Sequence, residues 1–136
     1  MAQALLRVGV VIESLFSTPN LEATKKMLEV AVARHEALAG NIANVETPGY
    51  KRVDLSKTFA TQLKVELARG GEGLSKLKPV LAPDDSATVR RSDGNTVQID
   101  QELLEMAGNT TNVEVLTQFV SGSLKQLRTA VLGRNL

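Results

Sequence analysis

The chain has 136 residues, enough for one domain with a modest core, and its 16 basic and 15 acidic side chains leave a net charge of +1. With the signs mixed along the chain, no field exists to hold a polyanion, which argues against nucleic-acid binding. Three Phe, one Tyr and no Trp leave Leu, Val and Ala to supply most of the apolar content, the profile of helix packing rather than of a β-sandwich, and zero Cys excludes disulfides and thiolate metal sites.

Taken from the start, Leu5, Val8, Ile12 and Leu15 put one apolar stripe on a short helix over 3–16. The run from Val8 to Ile12 is too short for a signal-peptide core, and no stretch approaches the ~20 apolar residues of a membrane span. Export, if it occurs, is expected without a cleaved leader. Ser17-Thr18-Pro19-Asn20 interrupts this helix, and Thr18 with Pro19 behind it, or Asn20 itself, can cap the next.

That next helix is predicted over about 21–45. Leu21, Thr24, Leu28, Ala31, His35, Leu38, Ile42 and Val45 alternate by three and four, the heptad spacing of a left-handed packing partner. A second stripe, Val30, Ala33, Ala37, Gly40 and Asn44, shrinks toward the C-terminal end, so neighbours are expected on two sides. The helix stops at Thr47-Pro48-Gly49-Tyr50. The residue before Pro48 is biased out of the helical region and Gly49 tolerates positive φ, which makes a sharp exit with Asn41 and Asn44 in the last turn. A single glycine would stop a helix; the extra specification points to contacts beyond one chain.

Residues 51–96 change character. Phe59-Ala60-Thr61-Gln62-Leu63 predicts a helical turn or two reaching Ala68, with Phe59 and Leu63 four apart on one face. Gly70-Gly71-Glu72-Gly73, Pro79, Pro83 and Asp84-Asp85-Ser86 have a linker's composition. The expectation is an extended, weakly structured arm, with a short hairpin around 80–89 and a turn at Asp93-Gly94.

A second long helix is predicted over about 99–132. Leu103, Met106, Thr110, Val113, Thr117, Val120, Leu124, Leu127 and Val131 step by four and three, and Leu116 and Phe119 broaden the stripe. Asp100, Glu102 and Glu105 complement the dipole at its start. At Gly108-Asn109-Thr110-Thr111-Asn112 a capping box from Thr111 to Glu114 would divide it in two. The heptad phase is kept through this stretch, which favours one helix roughly 50 Å long.

The fold expected is all-α: two long heptad-patterned helices packed as an antiparallel coiled-coil hairpin, with the short extra N-terminal helix and the middle arm. Leu28, Ala31, His35, Leu38 and Ile42 form one side of the seam, and Val113, Leu116, Val120, Leu124 and Leu127 the other. Residues 1–50, 51–96 and 97–136 make up one assembly domain. His35 has no acid or thiol at ligand spacing, Asp93–Asp100 lacks the oxygen pattern of a calcium loop, and Gly70–Gly73 lacks the Lys-Ser/Thr of a phosphate loop. No catalytic, cofactor or metal site is expected, and an enzyme is not.

The stretch Asn41-Ile42-Ala43-Asn44-Val45-Glu46-Thr47-Pro48-Gly49-Tyr50-Lys51 resembles the N-terminal signature of the bacterial flagellar rod and hook proteins, N-[IL]-A-N-x-x-T-P-G-[YF]. Asp93-Gly94-Asn95-Thr96-Val97-Gln98-Ile99-Asp100 is similar to the lead-in of the C-terminal helix in that family's proximal rod subunits. The resemblance covers roughly residues 21–63 and 93–133. It implies a structural subunit of the proximal rod of the flagellar basal body, exported through the type III apparatus without cleavage and polymerising by helix packing into a hollow periplasmic drive-shaft. The implied partners are other copies of the chain, other rod proteins, the rod–ring adaptor with its membrane ring, and the export gate, with no nucleic acid and no transmembrane segment. It gives Asn41, Asn44, Thr47, Pro48, Gly49 and Tyr50 an assembly role, and Phe59 and Leu63 recognition by the export gate. The short N-terminal helix departs from many members and is expected to make an extra contact at the rod base. Another proximal rod subunit of the family, or a soluble coiled-coil adaptor binding a partner helix, stays open as an alternative.

Overall fold

A computed structural model describes residues 19–87 and 91–132. In chain order it contains α1 (Pro19–Ala43), β1 (Val53–Leu55), α2 (Lys57–Ala68), a 3₁₀ turn (Leu74–Lys76), β2 (Leu81–Pro83) and α3 (Ile99–Leu132). The protein is therefore mostly helical, with one small two-stranded antiparallel sheet. The helix expected over 3–16 lies outside the described residues.

α1 opens on Pro19, whose missing amide proton costs nothing in a first turn. It runs antiparallel to α3: Asn41 bonds Glu102, Arg34 bonds Glu105 and Asn109 bonds the Ala31 carbonyl. α3 has 34 residues against 25 in α1. At 1.5 Å per residue this register sets Pro19 level with about residue 121, so the last three turns of α3 run past the start of α1. α3 is continuous through Gly108. The Thr110 and Thr111 hydroxyls donate back to the carbonyls of Met106 (2.9 Å) and Ala107 (3.2 Å), so no capping box divides the helix.

The apolar core is small: Leu21, Ala31, Ala37 and Leu38 from α1, with Phe59, Leu74 and Val97. Among the described residues an equal number of polar side chains is buried with them: Lys26, Asn41, Arg52, Asn95, Thr96, Glu102 and Asn109. Each such group costs free energy unless it is bonded, so the polar contacts must be specific for the fold to stand.

Two expectations are corrected. The segment 51–96 is not weakly structured. Its strand partner for 81–83 is the distant 53–55, in register Val53↔Pro83, Asp54↔Ala82 and Leu55↔Leu81, rather than a local hairpin. Phe59 of α2 (3% exposed) and Leu74 of the 3₁₀ turn are buried, and Lys26 Nζ reaches back 2.7 Å to the Leu77 carbonyl. Long-range polar contacts order a stretch whose composition reads as linker.

The face of α3 that meets α1 is also rotated. Leu103 (52% exposed), Thr110, Thr117 and Phe119 (64% exposed) lie outward, and Glu102 and Asn109, seven residues apart, take the buried positions. Both are polar, and both sit there because partners on the other elements bond them.

Candidate functional site

The end of α1 is built by two interlocked turns. The Tyr50 amide donates to the Thr47 carbonyl (3.3 Å), closing a four-residue turn whose third position, Gly49, has φ +72°. The Gly49 amide donates to the Asp93 carbonyl (2.8 Å), and Gly94, at φ +78°, lies directly against Gly49, a Cβ there falling 3.8 Å from the Gly49 Cα. Between them Asn95, buried, donates its Nδ2 to the carbonyls of Asn44 (3.0 Å), Val45 (3.0 Å) and Thr47 (2.8 Å) and accepts from the Val97 amide (2.8 Å). A residue 51 positions from Asn44 thus pins, through their carbonyls, the turn residues that follow the last residue of α1. Gly49→Val forces a branched side chain into positive φ, and a loss of about 1–3 kcal/mol in denaturant unfolding is expected; an unchanged midpoint would show the turn to be unstrained.

One turn back, Asn41 is fully buried. Its carboxamide behaves as a strand neighbour to Val53: Nδ2 donates to the Val53 carbonyl (2.8 Å) and Oδ1 accepts from the Val53 amide (2.9 Å). Nδ2 also donates to Glu102 Oε2 (3.0 Å), and the Tyr50 hydroxyl approaches Oδ1 at 3.4 Å. One amide therefore joins α1, β1 and α3.

Arg52 completes the clasp. Its Nε donates to Glu102 Oε1 (2.6 Å), Nη1 to Asp54 (3.0 Å) and Asp84 (2.8 Å), and Nη2 to Glu105 (3.1 Å). Arg34 of α1 reaches the same acids, Asp54 at 3.1 and 3.3 Å and Glu105 at 2.6 Å. Two guanidiniums thus lie among four carboxylates, in the forked geometry that lysine cannot reproduce.

Burial opposes the charge on Arg52, but the Glu102 carboxylate, then Asp54, outweigh it and push the guanidinium pKa above its ordinary value. For Asp54, burial alone would raise the pKa; bonds from Arg34 and the Leu55 amide, with the charges of Arg34 and Arg52, hold it below the usual 3.8. Asp84 is lowered chiefly by the Ser86 hydroxyl, with Arg52 contributing.

Both acids release protons more readily folded than unfolded, so the unfolded chain binds more protons in that range. Their stabilisation is present above the unfolded value and is lost as pH falls through the folded one. The melting temperature is expected to hold from neutral pH to about 5 and then to fall steeply below about 4. A flat profile down to pH 2.5 in thermal scans would remove the carboxylates from the account.

The residues singled out in the sequence divide into groups. Asn41, Asn44 and Tyr50 are engaged inside the chain, while Thr47, Pro48 and Gly49 are exposed at the tip. Ala31 and Leu38 are buried; Leu28, His35, Ile42, Val113, Leu116, Val120 and Leu127 are half-buried. Leu124 is exposed, since α3 has passed the start of α1 by that point. His35 Nδ1 is buried without a partner among the described residues. Phe59 is buried and Leu63 half-buried.

Arg34, Arg52, Asp54, Asp84, Asn95 and Asn109 went unnoticed as functional groups, and Glu102 and Glu105 serve Arg52 and Arg34 as well as standing near a helix start. The one signal in the sequence was a pair of polar residues, Glu102 and Asn109, at heptad spacing. Four carboxylates converge, but among the described residues no group of His, Cys, Asp or Glu is placed to hold a metal ion, and no helix there is long and apolar enough to cross a membrane.

No family model matches the chain. Individual relatives do. The chain is 32% identical over 123 residues to the flagellar basal body rod protein FlgB of Aquifex aeolicus, covering 88% of this chain and 97% of that one. It is 29% identical over 132 residues to the protein of the same name in Escherichia coli, at 85% and 94% coverage. For that of Bacillus subtilis the identity is 28% over 129 residues, at 88% and 98% coverage.

Proposed function

Because the chain belongs to the flagellar basal body rod protein FlgB family, we propose that it is a structural subunit of the proximal rod, polymerising by packing of α1 and α3 against neighbours into a hollow drive-shaft. The observation that carries this is the near-complete mutual coverage with rod proteins. The clasp supports it: the signature at 41–51 and the stretch 93–100 bond directly to each other, so the two segments act as one element.

On this reading the partners are further copies, other rod proteins, and the rod–ring adaptor with its membrane ring. The chain leaves the cell interior through the type III apparatus without cleavage and works in the periplasmic rod. The outward tip, Thr47 to Gly49, is the part of the signature free to touch a neighbour, and residues 3–16 make the additional contact at the rod base. Phe59 and Leu63 form the export-gate element. Since Phe59 is 3% exposed in the fold, the gate reads them in the unfolded chain only. Phe59→Ala should then lower secretion; undiminished secretion would remove this role.

Electron microscopy of basal bodies from a strain lacking the gene tests the function itself. Rings without a rod, restored by the intact gene, are expected. Complete rods in its absence would overturn the reading.

A further inference from the structure

We propose that the last three turns of α3, which run past the start of α1, are the docking surface for the chain's own residues 3–16, so that this segment prolongs the α1–α3 pair within one molecule. The overhang has apolar side chains and no cover from α1: Leu124 is 45% exposed, Val131 66% and Leu132 53%, with Leu127 half-buried beside them. Its length fits the segment, since 12 residues of α3 span ~18 Å and a helix over 3–16 would span ~21 Å.

The register comes from bonds already described. In an antiparallel pair each step toward the N-terminus on one helix is a step toward the C-terminus on the other. Arg34 to Glu105 and Ala31 to Asn109 therefore fix the whole alignment. Carried across Ser17 and Thr18, it brings Leu15 level with Leu124, Ile12 with Leu127 and Val8 with Val131. The apolar stripe of the segment thus meets the apolar residues of the overhang position by position.

Charge and tether select this occupant. The overhang carries Lys125 and Arg128 and no acid, so the same stretch of a second copy would set cations against cations. The segment carries one acid and one base: Glu13 falls level with Lys125 and Arg128, and Arg7 with the C-terminal end of α3, where the helix dipole favours a cation. A two-residue link also gives the segment a local concentration near millimolar, above that of a free partner at micromolar level. Reversal at Ser17-Thr18 would instead lay Glu13 level with Glu22, acid against acid, and leave the overhang bare. The closure is intrachain and does not depend on the rod reading; it leaves the far face of residues 3–16 for the contact at the rod base.

Purified full-length protein at micromolar concentration, treated with a carbodiimide that joins carboxylate to amine without a spacer, tests this. The Glu13–Lys125 amide is expected in the monomer band, read by peptide mass spectrometry, alongside the Glu22–Lys25 amide as an internal standard. Glu13 joined to Lys25 or Lys26 would show the reversal, and the Glu13–Lys125 product in a dimer band would give the segment to a second copy. Glu13 left unjoined while Glu22 reacts would leave the overhang open. Each of these three results overturns the proposal. Ile12→Asp provides a second arm: amide exchange over 120–132 should quicken by about tenfold or more, with 99–116 unchanged. Unaltered exchange over 120–132 overturns the proposal as well.

Discussion

Arg52→Met is expected to cost about 3–5 kcal/mol of folding stability, the range for removing one partner of a buried ion pair. The substitution leaves the fully buried Glu102 carboxylate with the Asn41 amide alone among its described partners, and deprives Asp54, Asp84 and Glu105 of one cation each. Small domains have only about 5–15 kcal/mol in total, so the variant should show a much lower guanidinium midpoint or fail to fold. Arg52→Lys keeps the charge without the fork and should fall between. The double variant Arg52→Met with Glu102→Met should recover part of the loss, because the stranded charge goes with its partner. A single Arg52→Met variant within about 0.5 kcal/mol of the parent would mean the cluster is solvated like a surface salt bridge and holds nothing.

Asn41→Leu should cost about 2–4 kcal/mol, from an unpaired Val53 amide and carbonyl at about 1–3 kcal/mol each, partly offset by the apolar replacement. No apolar side chain can bond both, and the Glu102 oxygen also loses a donor. The position of the loss separates two roles for the signature. A drop in the melting temperature of the isolated chain assigns Asn41 to holding its own fold. An isolated chain that melts unchanged, with assembly lost, would assign it to contacts between subunits and defeat the intrachain reading.

Periodicity made the two long helices legible, because an apolar residue every three or four positions has few other uses. The exit from α1 was legible too, since Pro48 and Gly49 restrict the backbone whatever surrounds them; Gly49 does adopt positive φ. The clasp was not. Arg52, Asp54 and Asp84 lie in a stretch whose local composition matches a solvated linker, and the longest of their bonds reach partners 32 to 53 residues away. Hydrophobic pattern placed the contact face of α3 only in part: Val113, Leu116, Val120 and Leu127 are half-buried, but Leu103 is exposed. It assigns Leu103 inward and Glu102 outward, and a buried carboxylate becomes reasonable only once the guanidinium beside it is known. Nothing local to Asn95 says that its amide holds the turn after α1, 51 positions away at Asn44.

The clasp has a kinetic consequence. Its closing bonds join residues 50, 51 and 61 positions apart, Arg52 to Glu102, Asn95 to Asn44 and Asn41 to Glu102. Contacts of that separation form late and slow folding, because the intervening loop must be closed before any bond repays its ordering. On the export route proposed above, a chain emerging end-first would lack the partners of these bonds until about the hundredth residue had cleared. Vectorial delivery and all-at-once folding are compatible in this molecule because its cooperativity is long-range.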